Sequence, residues 1–124
     1  MKKIIIGIFA LVLLAQAEEM LFTKGQMIYN KYGCYGCHGS NAEGNGDYPR
    51  LASKKKAYLI KRLKGYRDGT ITSNRANIMR PYAKKLSDKD IEALAEFLSK
   101  KIYMNEQPDE KYYEEFLVGD SSGS

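Results

Sequence analysis

Tryptophan is absent from this 124-residue chain, histidine occurs once and cysteine twice. Each scarcity closes a class of function. A structural zinc site takes four protein ligands, and two Cys with one His fall short of that. A thioredoxin-type dithiol sits in an alternating strand and helix pattern, whereas the flanks of this Cys pair read as helix and loop with no strand-rich run. An acidic surplus is also missing: 20 Lys and Arg face 15 Asp and Glu, a formal charge of +5. That surface is basic, yet short of a typical nucleic-acid binder, and it suits an acidic protein partner better. At 14.1 kDa and 44% apolar content there is material for one domain and one core.

What is present is concentrated in Cys34-Tyr35-Gly36-Cys37-His38. Two thiols three residues apart, followed at once by the only histidine, read as a c-type haem attachment site. One turn of backbone brings both sulfurs to the two vinyl groups of one haem, and His38 then offers the iron a nitrogen. Attachment uses both cysteines and leaves none for a disulfide.

After the motif come Gly39-Ser40-Asn41-Ala42-Glu43-Gly44-Asn45-Gly46 and Tyr48-Pro49-Arg50-Leu51-Ala52, and later Met79-Arg80-Pro81-Tyr82-Ala83-Lys84-Lys85-Leu86-Ser87-Asp88-Lys89-Asp90-Ile91. Together these resemble the small bacterial class I cytochromes c, of the c-553 kind, and one half of the di-haem cytochromes c4. The resemblance runs from about Gly25 to Lys101. It implies an all-α class I cytochrome c fold, three to four helices wrapped around one covalent haem c, with His38 and Met79 as the two axial ligands. It also implies that the Pro49 carbonyl orients the ring of His38, that Arg50 pairs with a haem propionate and that Leu51 packs on the haem.

The first residues read as a targeting segment. Lys2 and Lys3 precede the uncharged run Ile4 to Ala15, and Ala15-Gln16-Ala17 has the small-x-small pattern that signal peptidase cuts. Twelve residues at about 1.5 Å each span roughly 18 Å against about 30 Å of hydrocarbon. The expectation is therefore a signal peptide at 1–17 cleaved after Ala17, a periplasmic protein with no stable membrane anchor, a haem domain at 18–104 and an acidic tail at 105–124. Charge divides along the same line: residues 18–104 hold 17 basic and 9 acidic side chains, whereas 105–124 hold one Lys against six acids.

Helical spacing of Leu21, Gly25, Ile28, Tyr29 and Tyr32 predicts a first helix from Leu21 to Tyr32, ended by Gly33. Gly25 within it requires the close approach of another helix, which the resemblance places at Leu94 and Phe97. Lys54 to Lys56 read either as a solvated face or as a rim around the haem edge. Residues 57–68 predict a second helix with Tyr58, Leu59, Leu63 and Tyr66 inward, stopped by Gly69. Thr70 to Met79 lacks periodicity, holds Asn74 and Asn77, and reads as a loop that carries Met79 to the iron. Ser87 and Asp90 form a helix-start signature ahead of Ile91, Leu94, Ala95, Leu98 and Ile102.

With both axial positions filled by protein, the resemblance implies a one-electron carrier, not an enzyme. Its partners would be redox proteins with acidic docking surfaces, such as a terminal oxidase or a periplasmic dehydrogenase, and not nucleic acid. The alternative is a haem subunit of a periplasmic oxidoreductase complex, for example a flavin-containing sulfide dehydrogenase.

Overall fold

The computed structural model describes residues 2–101, so Met104, Ile102 and the expected acidic tail lie outside it. Five helices follow in order: α1 (Lys2–Lys31), α2 (Tyr35–His38), α3 (Lys56–Asp68), α4 (Asn74–Ala83) and α5 (Asp88–Lys100). Among the described residues no strand forms; a single antiparallel bridge joins Asn45 and Tyr48. The expected all-α architecture is what the chain adopts.

α5 is the centre of the packing, with α1 on one side, α3 on another, and α4 lying against α3. Its start is fixed by a capping box. The Ser87 hydroxyl accepts from the Asp90 amide at 3.1 Å, and the Asp90 carboxylate accepts from the Ser87 amide at 3.1 Å. The expected inward residues Ile91, Leu94, Ala95 and Leu98 are buried, and so are Ala93, Glu96 and Phe97. A helix covered on two sides buries more than one stripe.

α1 is far longer than the predicted Leu21–Tyr32. The N-terminal apolar run continues into the packed part of α1 without a break, because nothing between Leu14 and Lys24 opposes helix and Ala, Leu, Gln and Glu favour it. Only its C-terminal part is packed: Gly25, Ile28 and Tyr29 are buried. Phe22, which the predicted stripe leaves out, meets Phe97 edge to face at 5.2 Å, and Tyr29 lies 5.7 Å from the same ring. Gly25 is where the two helices cross. A Cβ there would overlap the Ala93 carbonyl oxygen and stand 2.6 Å from Phe97 Cβ, so the partner residues are Ala93 and Phe97, one register step from the expected Leu94. By length and composition α1 is able to cross a membrane, a test that a signal sequence passes as well. The twelve-residue apolar run is thus one part of a helix that continues beyond it.

Other expectations change in detail. α3 begins at Lys56 and ends on Gly69 at φ 77, as its pattern predicts, but Tyr66 is only half-buried, its hydroxyl accepting from Arg62 one turn earlier. The lysine run is not a uniformly solvated face. Lys54 is 2% exposed, Lys55 is exposed, and Lys56 binds Glu96 at 2.9 Å. Glu96 is held from the other side by Lys100, which also reaches Glu18 at 3.6 Å. The largest correction is α4. The segment expected as a loop is helical from Asn74, because the Ser73 hydroxyl caps it by accepting from the Ala76 amide at 3.0 Å. Met79 therefore stands on a helix.

Two outcomes follow from this packing. Gly25→Ala, which would favour an isolated helix by about 1 kcal/mol, is expected to destabilise the fold by about 2 to 3 kcal/mol through overlap with Ala93, measurable as a lower urea midpoint. The Lys100 contact holds Glu96, and the Ser87 amide holds Asp90, below their ordinary pKa values of 4.5 and 3.8. A depressed carboxyl stabilises the fold above its unfolded pKa and loses that contribution as pH falls through the folded value. The urea midpoint should accordingly drop between about pH 5 and about pH 3, and Glu96→Gln should flatten that slope.

Candidate haem site

The thiols and the imidazole come from one helical turn. Cys34 caps α2 with helical backbone angles (φ −55°, ψ −33°), and the amides of Cys37 and His38 both donate to its carbonyl, at 3.3 and 3.0 Å. Residues i and i+3 share a helix face, so the two sulfurs are neighbours. Both are free thiols, half-buried. Burial pushes Cys34 up to about 11, with the nearby Cys37 adding to the rise, so its thiol keeps its proton at neutral pH.

His38 is buried at 6% exposure, and its Nδ1 lies 2.9 Å from the Pro49 carbonyl oxygen. A carbonyl can only accept, so Nδ1 carries the hydrogen and Nε2 is left with a lone pair. Burial lowers the ring's pKa, which the Pro49 contact offsets only in part. The ring is then neutral at physiological pH, as a metal ligand must be.

The segment between His38 and Pro49 is held tightly for a stretch with so little regular structure. Gly39 adopts φ 90°, ψ 158°, a region essentially reserved for glycine. Its carbonyl accepts from the Ala42 amide at 3.1 Å and from the Tyr29 hydroxyl at 2.5 Å. Ala42, buried and at φ 54°, accepts in turn from the amides of Leu51 and Ala52, at 2.9 and 3.0 Å. The Gly44 amide closes the loop on the His38 carbonyl at 2.7 Å. Ser53 fastens the far end to α5, its amide bonding Leu98 O at 2.9 Å and its hydroxyl Lys101 O at 2.6 Å.

Of the residues singled out in the sequence, Cys34, Cys37, His38 and Pro49 are thus brought together directly. Leu51 is half-buried against the main core cluster, and Arg50 is half-buried beside it. Met79 stands on α4, one turn before Tyr82. Tyr82, one turn further along α4, raises the pKa of the Tyr48 phenol, on which Cys37 acts most strongly; the Tyr48 ring itself meets the His38 ring edge-on at 6.2 Å. The other described methionines, Met20 and Met27, are exposed on α1 at 73% and 66%, whereas Met79 is half-buried. Sequence reasoning missed Tyr29, Ala42, Tyr48 and Tyr82. Only Tyr48, next to Pro49, carried a local signal.

The donor set fits haem and little else. Among the described residues no three His, Cys, Asp or Glu side chains gather to hold a bare metal ion. One imidazole and one thioether suit an iron that brings four equatorial ligands of its own, and two adjacent thiols suit its vinyl groups. Outside α1, every exposed large apolar side chain among the described residues lies around these donors in sequence: Tyr35, Tyr48, Ile78 and Tyr82. Apolar surface confined to two segments marks the ground that a flat hydrophobic group would cover.

Comparison with known proteins agrees. Cytochrome c4 of Azotobacter vinelandii is 40% identical over 88 residues, covering 68% of this chain and 42% of the relative. Cytochrome c-554(548) of Halomonas halodenitrificans is 38% identical over 67 residues, covering 53% of this chain and 81% of the relative. The crystal structure of reduced recombinant cytochrome c4 from Pseudomonas stutzeri superposes with a TM-score of 0.61 at 34% identity, over 68% of this chain and 50% of that one. The chain spans less than half the length of the cytochrome c4 relative from Azotobacter. The sequence pattern of the cytochrome c family, whose members carry covalent haem c, matches residues 22–101, and this chain belongs to that family.

Proposed function

We propose that the chain is an exported mono-haem carrier of single electrons, with thioether links at Cys34 and Cys37 and with His38 and Met79 on the two faces of the iron. The observation that carries this reading is the bond from His38 Nδ1 to the Pro49 carbonyl, which leaves the other nitrogen of the only imidazole with a lone pair for a metal. When bound, the haem supplies reversible one-electron chemistry between ferric and ferrous iron. The chain's own residues supply the rest. Pro49 orients and polarises His38. Met79, as the second ligand, would keep water and small ligands off the iron, which makes carriage, not catalysis, the remaining role. Arg50 is the candidate for a propionate and Leu51 for contact with the porphyrin.

In this reading the leader at 1–17 is removed after Ala17, the haem domain occupies 18–104 and the periplasm is the place of work. The basic surface of the domain draws redox partners with acidic docking patches, and nucleic acid is not among them. Attraction of that kind accelerates encounter and fades as salt rises.

Three measurements test the reading. Protein made with a haem maturation system should keep its colour in acidified acetone and have a mature mass beginning at Glu18; loss of the pigment, or a mass that retains Met1 to Ala17, would contradict attachment or export respectively. The oxidised form should show the weak near-infrared band of methionine ligation, and the reduced form should resist carbon monoxide. Met79→Ala should abolish that band, admit carbon monoxide and lower the potential; an unchanged spectrum would move the ligand elsewhere.

A further inference from the structure

We infer that the hydroxyl of Tyr29 is a positioning group for the haem ligand, setting the strength of the His38–Pro49 bond from inside the helical core. The inference rests on the assignment of His38 to the iron and goes one layer beyond it. Tyr29 is 1% exposed, with its ring beside Phe97, so its place in the fold is secured by packing alone. Packing does not require a phenol; the ring of phenylalanine would serve. The oxygen has a separate task, donating at 2.5 Å to the carbonyl of Gly39, the residue that follows His38.

That carbonyl is the first link of a short chain. Gly39 O also accepts from Ala42 N, Ala42 O accepts from Leu51 N, and two residues before Leu51 stands Pro49, whose carbonyl faces His38 Nδ1. Every other member of the chain belongs to the irregular segment from His38 to Leu51. Tyr29 is the member that belongs to α1, and it grips the loop beside His38, as Ser53 fastens the far end to α5. The gripped peptide is one that would otherwise drift, because Gly39 sits at φ 90°, ψ 158°, a conformation held only when its surroundings determine it. Burial and the nearby Cys34 and Glu43 push the phenol well above its ordinary range, so it stays a donor at every pH at which the protein folds.

Without the hydroxyl the loop can relax and the Pro49 carbonyl withdraws from Nδ1–H. The imidazole then becomes a poorer electron donor, the ferric state loses more than the ferrous, and the potential rises. The test is Tyr29→Phe in the haem-loaded chain, with Phe97→Leu as a variant that disturbs the same ring but leaves the hydroxyl. In Tyr29→Phe, exchange of the His38 Nδ1 proton in the reduced protein should be about tenfold faster, the loss of roughly one hydrogen bond, and the potential should be higher. Phe97→Leu should lower the melting temperature with neither change. A Tyr29→Phe protein with parental potential and parental proton exchange overturns the inference, leaving tyrosine a packing residue. Should that variant not accumulate, the unmodified reduced protein decides the matter: a slowly exchanging Tyr29 hydroxyl proton supports the inference and a freely exchanging one overturns it. Failure of the haem assignment would look different, since the parent itself would then lack covalent haem or histidine ligation.

Discussion

An imidazole has two nitrogens, and it can serve as a fixed metal ligand only if one of them is tied down. In this chain the tie is a peptide carbonyl, that of Pro49, 2.9 Å from Nδ1 of the sole histidine. The requirement is demanding because the carbonyl comes from eleven residues further along an irregular segment. A side-chain carboxylate could swing to meet the ring; a backbone oxygen has to be delivered by the path of the chain. The left-handed residues Gly39 and Ala42, the doubly bonded Ala42 carbonyl and the close approach at Gly44 all serve that delivery.

The helices matter to the site as a frame for this segment. α1 enters it at Cys34, and α5 fastens its exit through Ser53, so both ends are referred to the same helix pair. The crossing at Gly25 sets how closely that pair approaches, and Phe97 lies at the crossing with Phe22 and Tyr29 on it. Replacing any of these by a residue of different volume would loosen the helix pair and cost stability, because close-packed interiors feel even small changes of volume.

The sequence made some of this plain and hid the rest for physical reasons. Cys34, Cys37 and His38 are adjacent, so their chemistry is visible without a fold. α5 was legible because its period and capping box agree. α4 was not: weak periodicity and two asparagines outweighed the Ser73 cap, although Asn74 merely begins the helix. The burial of Lys54 beside an exposed Lys55 could not be seen either, since a run of like charges carries no sign of which member the loop turns inward. Contacts such as Tyr29 to Gly39 join residues from different elements, and no local pattern announces them.

The unbroken course of α1 has a consequence for the proposed cleavage. Cutting the peptide bond after Ala17 would turn a mid-helix position into a helix start, and the two residues exposed there are Glu18 and Glu19. Carboxylates are what a freshly made helix beginning favours, where unpaired amides leave partial positive charge. Glu18 is already within 3.6 Å of Lys100 on α5, so the trimmed terminus would be tethered at the moment it is created. The helix could in this way shed its apolar half without fraying the half that cradles the core.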